Sequence, residues 1–254
     1  MRLSQSRIQA VLPDVSVEVL QEVDSTNSEA KRRLRAGLET PLLLAAEHQT
    51  AGRGRQGKQF YSPEGTGIYM TLTVHPDAPL TDAVSVTTRA SVAVCRAIRY
   101  VTGLQPEIKW VNDLYLGGKK ICGILVEADS DFAAGITKHL VIGVGVNVTT
   151  AAFPEDLPEA ASLSVNADRD QLIAAIAREL LKETADLRDH SYLEDYRRWS
   201  MVLGKPIVWT LNGEQREATA VSIDEAGGLV IEDADGMRRT LQSGEISLRL
   251  RSAE

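Results

Sequence analysis

The sequence predicts an α+β fold in two parts: strands and helices intermixed over residues 1–203, then a small all-β module over residues 204–254. Three observations carry this. Apolar residues alternate with period two in the first part, most clearly at 68–74, which marks half-buried strands. Residues 83–101 and 168–187 repeat apolar positions at every third or fourth residue, which marks amphipathic helices. After Gly204, short β-type runs recur every ~8–12 residues between Asn-Gly, Gly-Gly and Asp-Gly pairs, the texture of a small barrel.

In chain order, residues 15–20 are the one strand expected before residue 25. Thr26, followed three positions later by Glu29, fits a capping box that satisfies the first free N–H groups of a helix. That helix runs through Ala30 and Leu34 and stops at Gly37. Residues 42–47 read as a buried strand, and 48–67, polar, basic and glycine-rich, as a loop. Ile68, Met70, Leu72 and Val74 alternate with Tyr69, Thr71 and Thr73. Ala83, Val86, Ala90, Ala93, Ala97 and Val101 form one helical stripe ending near Gly103. Strands follow at 107–111, 114–116, 121–128 and 140–146, with Gly117-Gly118 as a hairpin turn. Asp168 opens a helix carrying Leu172, Ile173, Ile176, Leu180 and Leu187, and a third long helix covers 192–201. Runs at 207–211, 218–223, 229–232, 238–241 and 246–250 make the terminal module.

Composition narrows the function. Hydrophobic residues are 43% and charged residues 25%, an ordinary globular balance that excludes fibrous and disordered classes. Lysine and arginine total 28 against 35 acids, for a net charge of −7. Nucleic-acid binders draw affinity from basic groups on phosphates, so no nucleic acid is expected as partner. Cys95 and Cys122 sit in apolar stretches and read as buried hydrophobes, which fits a reducing cytoplasm. The first residues do not form a signal peptide, and no apolar run reaches the ~18 residues of a membrane helix, so no membrane partner is expected.

The most informative segment is Gln49-Thr50-Ala51-Gly52-Arg53-Gly54-Arg55-Gln56-Gly57-Lys58. Glycine lets backbone approach a ligand closely, and arginine presents a planar fork to phosphate or carboxylate oxygens. Together they describe an anion-gripping loop. Gly52 to Lys58 also satisfies the spacing of a phosphate-binding P-loop. However, Gln59 stands where Ser or Thr would hold Mg²⁺, and Pro63 discourages the helix that such a loop needs. Gly143-Val144-Gly145-Val146-Asn147 lacks the third glycine of a dinucleotide fingerprint.

Lys109-Trp110-Val111-Asn112-Asp113 ends one strand with an amide and a carboxylate, and Lys120 follows the hairpin. Activation of a carboxylic acid by ATP brings two anions together and expels pyrophosphate. It needs fixed cations and a metal-binding carboxylate more than a proton-transfer base. Lys109, Lys120, Arg53 and Arg55 supply the cations, and Asp113 the oxygen ligand for Mg²⁺.

Five segments in this order resemble the biotin–protein ligase family: Asp24-Ser25-Thr26-Asn27; Gln49 with the loop to Gly57; Lys109 to Leu114; Lys120 with Gly123-Ile124-Leu125-Val126-Glu127; and Gly143 to Asn147. The resemblance covers about residues 18 to 200. It implies a mixed, mainly antiparallel sheet packed with helices, the class II aminoacyl-tRNA synthetase-like fold of biotin and lipoate ligases, with an SH3-like β-barrel after residue 203. It implies that Ser25, Thr26, Asn27 and Gln49 line the biotin pocket, and that Arg53, Gly54 and Arg55 close over biotin and the adenylate. Lys120 would bond the carboxylate and then the acyl-phosphate, and Gly123 would let backbone approach biotin. Arg55, Lys109, Asn112, Asn147 and Phe60 would face ATP, and Asp113 the Mg²⁺. The implied partner is a biotin carboxyl carrier protein domain, of acetyl-CoA or pyruvate carboxylase type, met by a monomer or homodimer. The sequence departs from the family at Gln56, where an arginine is usual, at Val111, where proline is usual, and at Phe60, where tryptophan is usual. The Ser-Thr-Asn motif begins at residue 25, so a form without an N-terminal DNA-binding domain is expected. Three alternatives stay open: a lipoate or octanoyl ligase of the same fold, a non-catalytic biotin or nucleotide sensor, and a scaffold whose terminal module recruits a partner.

Overall fold

The computed structural model describes residues 2–38, 41–76, 78–79, 83–131, 133–211, 214–242 and 247–250. The order is α1 (Gln5–Val11), β1 (Ser16–Val23), α2 (Thr26–Arg35), β2 (Leu42–Gln49), β3 (Gly67–Val74), β4 (Ala78–Pro79), α3 (Ala83–Thr102), β5 (Glu107–Lys109), β6 (Asp113–Leu116), β7 (Lys119–Asp131), β8 (Ile136–Asn147), α4 (Arg169–Ala185) and α5 (Tyr192–Trp199). The terminal module adds β9 (Pro206–Leu211), β10 (Glu214–Ile223), β11 (Leu229–Glu232), β12 (Arg238–Leu241) and β13 (Ser247–Leu250).

The large sheet runs β1-β2-β3-β8-β7-β6-β5, with β4 beside β8. Among the described residues its one parallel strand pair is β1–β2, so it is the mixed, mainly antiparallel sheet expected. Side chains alternate between its faces. One face carries Ile68, Met70, Leu72, Cys122, Ile124, Ile142 and Val144, all buried with α3, α4 and α5 in the main core. The opposite face is covered over part of its area by α2, where Ala30 and Leu34 pack on Leu42, Leu44 and Val141. Among the described residues no helix is long and apolar enough to cross a membrane.

Several expectations change. Helix α1 was not anticipated. It is seven residues long and buries only Ile8, too little to give a helical period, and the side chain of Ser4 caps it by accepting from Arg7 N. The capping box at Thr26 does not form: Ser25 is the N-cap residue and makes no side-chain cap bond. Thr26 is drawn instead to Gln49, and Glu29 to Arg32 and Arg33. Helix α4 does start behind Asp168, whose carboxylate accepts from Asp170 N and Gln171 N, but it ends at Ala185. Helix α5 stops at Trp199 because Ser200 bridges to Ile108 and Met201 N donates to Ile108 O, covering the β5 edge.

The terminal strands form an antiparallel sheet in the order β12-β11-β10-β9-β13. A small SH3-like barrel was expected. No ladder joins β12 to β13 among the described residues, and the Asn212-Gly213 turn and Ile246 lie outside them. This sheet grips the larger domain through Trp110 Nε1, which donates to Gly227 O at 3.0 Å, and Arg197, which donates to Ile223 O at 2.8 Å.

A buried ion pair ties the early chain to α4. Glu47 is 1% exposed and Arg169 8%. Arg169 reaches Glu47 Oε2 at 2.9 Å and Gly67 O at 3.1 Å, and Leu3 N donates to the other Glu47 oxygen. Removing one partner strands a buried charge, so Glu47→Ala and Arg169→Ala should each cost about 3–5 kcal/mol. The double variant Glu47→Leu/Arg169→Met should lose less than the sum. Urea denaturation of the three proteins checks this, and additive losses would refute the coupling.

Candidate active site

The uncovered part of the sheet is the floor of a cleft of about 620 Å³. Register explains the floor. Tyr69, Gly145, Gly123 and Asp113 lie in one row across β3, β8, β7 and β6, and Thr71, Gly143 and Leu125 form the next. Two glycines there are required by close approach. A Cβ on Gly143 would fall 2.0 Å from Asn27 Oδ1, and one on Gly145 would fall 2.5 Å from the Phe60 ring. The weak glycine motif of β8 is therefore a surface stripped of side chains. Phe60 lies on it, with Tyr69 edge-on at 6.4 Å between centroids, and its ring stands 3.4 Å from where a Gly123 Cβ would be.

One end of the cleft is amide- and hydroxyl-rich. Ser25, Thr26 and Asn27, at the start of α2, are each no more than 4% exposed. Gln49 Oε1 accepts from Thr26 N at 2.8 Å and Thr26 Oγ1 at 3.1 Å, while its amide nitrogen donates to Ser62 Oγ at 2.9 Å. Thr71 donates to Asn27 Oδ1 at 2.7 Å, which fixes the amide so that Nδ2 points to Leu125 O at 3.3 Å and Glu127 Oε2 at 3.1 Å.

The other end is cationic, and a β-bulge arranges it. Between β6 and β7, Leu114 pairs with Cys122 but Tyr115 pairs with Lys120, so Ile121 is the extra residue. By alternation Lys120 would share the core-facing parity of Cys122 and Ile124. The bulge reverses that and swings it into the cleft, as bulges do when they re-aim a side chain. Its Nζ lies 2.7 Å from Asp113 Oδ1. Lys109 Nζ donates to Tyr115 OH at 3.1 Å, and that hydroxyl donates to Glu159 at 2.8 Å.

The glycine–arginine segment is a small hairpin with Arg53 bridged to Gln59, a 3₁₀ turn at Arg55–Gly57 and Gln56 at φ 54°. No helix follows, so the P-loop reading falls. Arg53 straddles Glu127 at 3.1 and 3.2 Å, and Arg55 donates to Asn112 Oδ1 at 2.9 Å, with Asn112 Nδ2 on Ile124 O at 2.8 Å. Burial pulls the Arg55 guanidinium below its ordinary pKa, with Asp113 opposing. At Glu127, burial opposes ionisation, but hydrogen bonds from Lys31 and Asn27 and the charges of Lys31 and Arg53 outweigh it, so its carboxyl is held below the ordinary value.

Ser25, Thr26, Asn27, Gln49, Arg53, Gly54, Arg55, Phe60, Lys109, Asn112, Asp113, Lys120 and Gly123 all line this cleft. Asn147 does not; it is 4% exposed and donates to Ala161 O at 3.0 Å, pinning the segment beyond the cleft wall. Sequence reasoning missed Tyr115 and the wall at 156–160. Lys120 N donates to Glu159 O at 2.7 Å and Ala161 N to Lys120 O at 2.8 Å, so that wall attaches to β7 through backbone bonds that leave no side-chain pattern. Tyr115 carried a readable signal, the alternation Asp113–Leu114–Tyr115 that places it beside Asp113.

Comparison with known proteins agrees with this architecture. Residues 19–147 match the model of the Biotin/lipoate A/B protein ligase family, and residues 202–249 match the Biotin protein ligase C terminal domain. The bifunctional ligase/repressor BirA of Bacillus spizizenii is 34% identical over 89% of this chain and 72% of its own length. The biotin–[acetyl-CoA-carboxylase] ligase of Mycobacterium tuberculosis is 31% identical over 91% of this chain and 88% of its own. Among solved structures, the biotin protein ligase from Aquifex aeolicus in complex with biotin and ATP superposes with a TM-score of 0.79, at 25% identity over 93% of this chain and 99% of that one. With both domains matched and the floor of the cleft built by the matched segment, the chain belongs to the biotin/lipoate A/B protein ligase family.

Proposed function

We propose that the protein is an ATP-dependent biotin–protein ligase, which makes biotinyl-5′-AMP and passes the biotinyl group to a lysine of a biotin carboxyl carrier domain in the cytoplasm. Residues 1–203 are the catalytic unit and residues 204–254 an accessory β module. One observation carries the reading: the polar pocket of Ser25, Thr26, Asn27 and Gln49, the amine of Lys120 and the arginine hairpin all open into one cleft. A cyclic urea has one acceptor and two donors, which suits that mixed set. A dithiolane has none to match, and buried polar groups left unpaired discriminate strongly against such a ligand. This favours biotin over lipoate.

In the first step a biotin carboxylate oxygen attacks the α-phosphorus of ATP, and the bond to pyrophosphate breaks. Lys120, at the junction of the two anions, stabilises the charge gathering on the α-phosphate, and Arg55 and Lys109 add fixed positive potential. Among the described residues no group of three histidine, cysteine, aspartate or glutamate side chains is placed to hold a metal ion by itself. Magnesium commonly uses one or two carboxylates together with substrate phosphates, and Asp113 is the residue that would hold it. There it would neutralise charge on the departing pyrophosphate. The hairpin then shields the mixed anhydride from water. In the second step the carrier amine attacks the carbonyl carbon, AMP leaves, and the amine's proton passes to solvent.

Lys120→Ala should slow adenylate formation by about 10²-fold or more, the scale of one lost transition-state charge contact. Pyrophosphate release with ATP, Mg²⁺ and biotin measures it, and a wild-type rate would remove Lys120 from the mechanism. Arg53→Gly should release biotinyl-AMP into solution, detectable by filtration and mass spectrometry. Full retention of the intermediate would sink the shielding role. Calorimetric titration with biotin and with lipoate tests the substrate, and tighter lipoate binding would overturn the assignment.

A further inference from the structure

Glu127 lies outside the cleft lining yet meets three parts of the molecule. Its Oε2 accepts from Asn27, in the polar pocket, at 3.1 Å. Both oxygens take Arg53 of the hairpin, at 3.1 and 3.2 Å. Its Oε1 also accepts from Lys31, one turn further along α2, at 2.8 Å. The Glu127 side chain is 20% exposed and that of Arg53 43%, and the two meet through a paired, two-point contact. Paired charged hydrogen bonds also impose direction.

This geometry separates the two arginines. Arg53 is held by a protein carboxylate, whereas Arg55 donates to the amide oxygen of Asn112 on the cleft wall. We propose that Glu127 is a positioning residue, a latch that holds the hairpin shut through Arg53 and links it to the pocket through Asn27. The proposal rests on the ligase reading for its substrates but not for the latch itself. The same oxygen holds both the pocket amide and the hairpin guanidinium. An occupant that orders Asn27 therefore orders the latch, and loss of the latch loosens both.

Two measurements test it. The first needs no substrate: trypsin cleaves after Arg53, Arg55 and Lys58, and a latched hairpin resists it. Glu127→Gln should raise the cleavage rate in the hairpin about tenfold, as should Glu127→Asp, whose shorter arm cannot span Arg53 and Asn27 together. Lys31→Met, which spares the Arg53 contact, should leave cleavage at the wild-type rate. Thermal melts of each variant confirm that folding is intact. Wild-type resistance in both Glu127 variants, or equal sensitivity in Lys31→Met, overturns the latch. The second measures dissociation of biotinyl-AMP. Arg53→Gln, Glu127→Gln and the double variant should all speed release by the same factor, about tenfold, because each breaks one unit. Multiplied effects in the double variant would mean that the two residues act separately. If the wild-type protein forms no biotinyl-AMP, the ligase reading fails while the proteolysis result still judges the latch.

Discussion

The cleft depends on a stretch of sheet that has lost its side chains on one face. A sheet normally buries both faces or leaves one to water, with alternate residues filling each. Here Gly123, Gly143 and Gly145 fall on the same face of neighbouring strands, so the backbone itself is the floor. The main core on the opposite face carries the stability, which frees this side for binding. Helix α2 covers part of that floor with Ala30 and Leu34, and its first residues, Ser25 to Asn27, form the polar wall.

Onto this floor the chain brings charges that are already engaged: Lys120 with Asp113, Arg53 with Glu127, Arg55 with Asn112, and Lys109 with Tyr115 and Glu159. In the proposed reaction an arriving carboxylate or phosphate would exchange partners with these groups and would not have to fix loose cations from solution. Preorganised dipoles and charges of this kind lower the reorganisation needed as charge develops in the transition state.

Much of this was legible in the chain. Period-two alternation found β3, apolar runs found β7 and β8, and helical stripes found α3 and α4, because each buries an extended apolar face. Thirteen of the anticipated residues line the cleft: the arginines and lysines stood out by clustering in an acidic chain, whereas Ser25, Thr26, Asn27 and Gln49 were implied by the family resemblance. What escaped was tertiary. Asn147 turned away because its amide satisfies a buried carbonyl, Ala161 O, from another segment. The Thr26 capping box failed because Gln49, across the first strand pair, offered a competing partner. Helix α1 was invisible because one buried isoleucine has no period. The wall at 156–160 is held by main-chain bonds, which residue types do not announce.

The bulge at Ile121 constrains the hairpin around it. In most β-hairpins the connecting turn tolerates small changes in length, since extra residues simply enlarge an exposed tip. The hairpin joining β6 to β7 lacks that freedom. Its Gly117-Gly118 turn and its single unpaired isoleucine jointly decide which side of the strand position 120 occupies. A change of register inside this ladder would therefore be read out at the amine, as a change in the face of the sheet that it occupies.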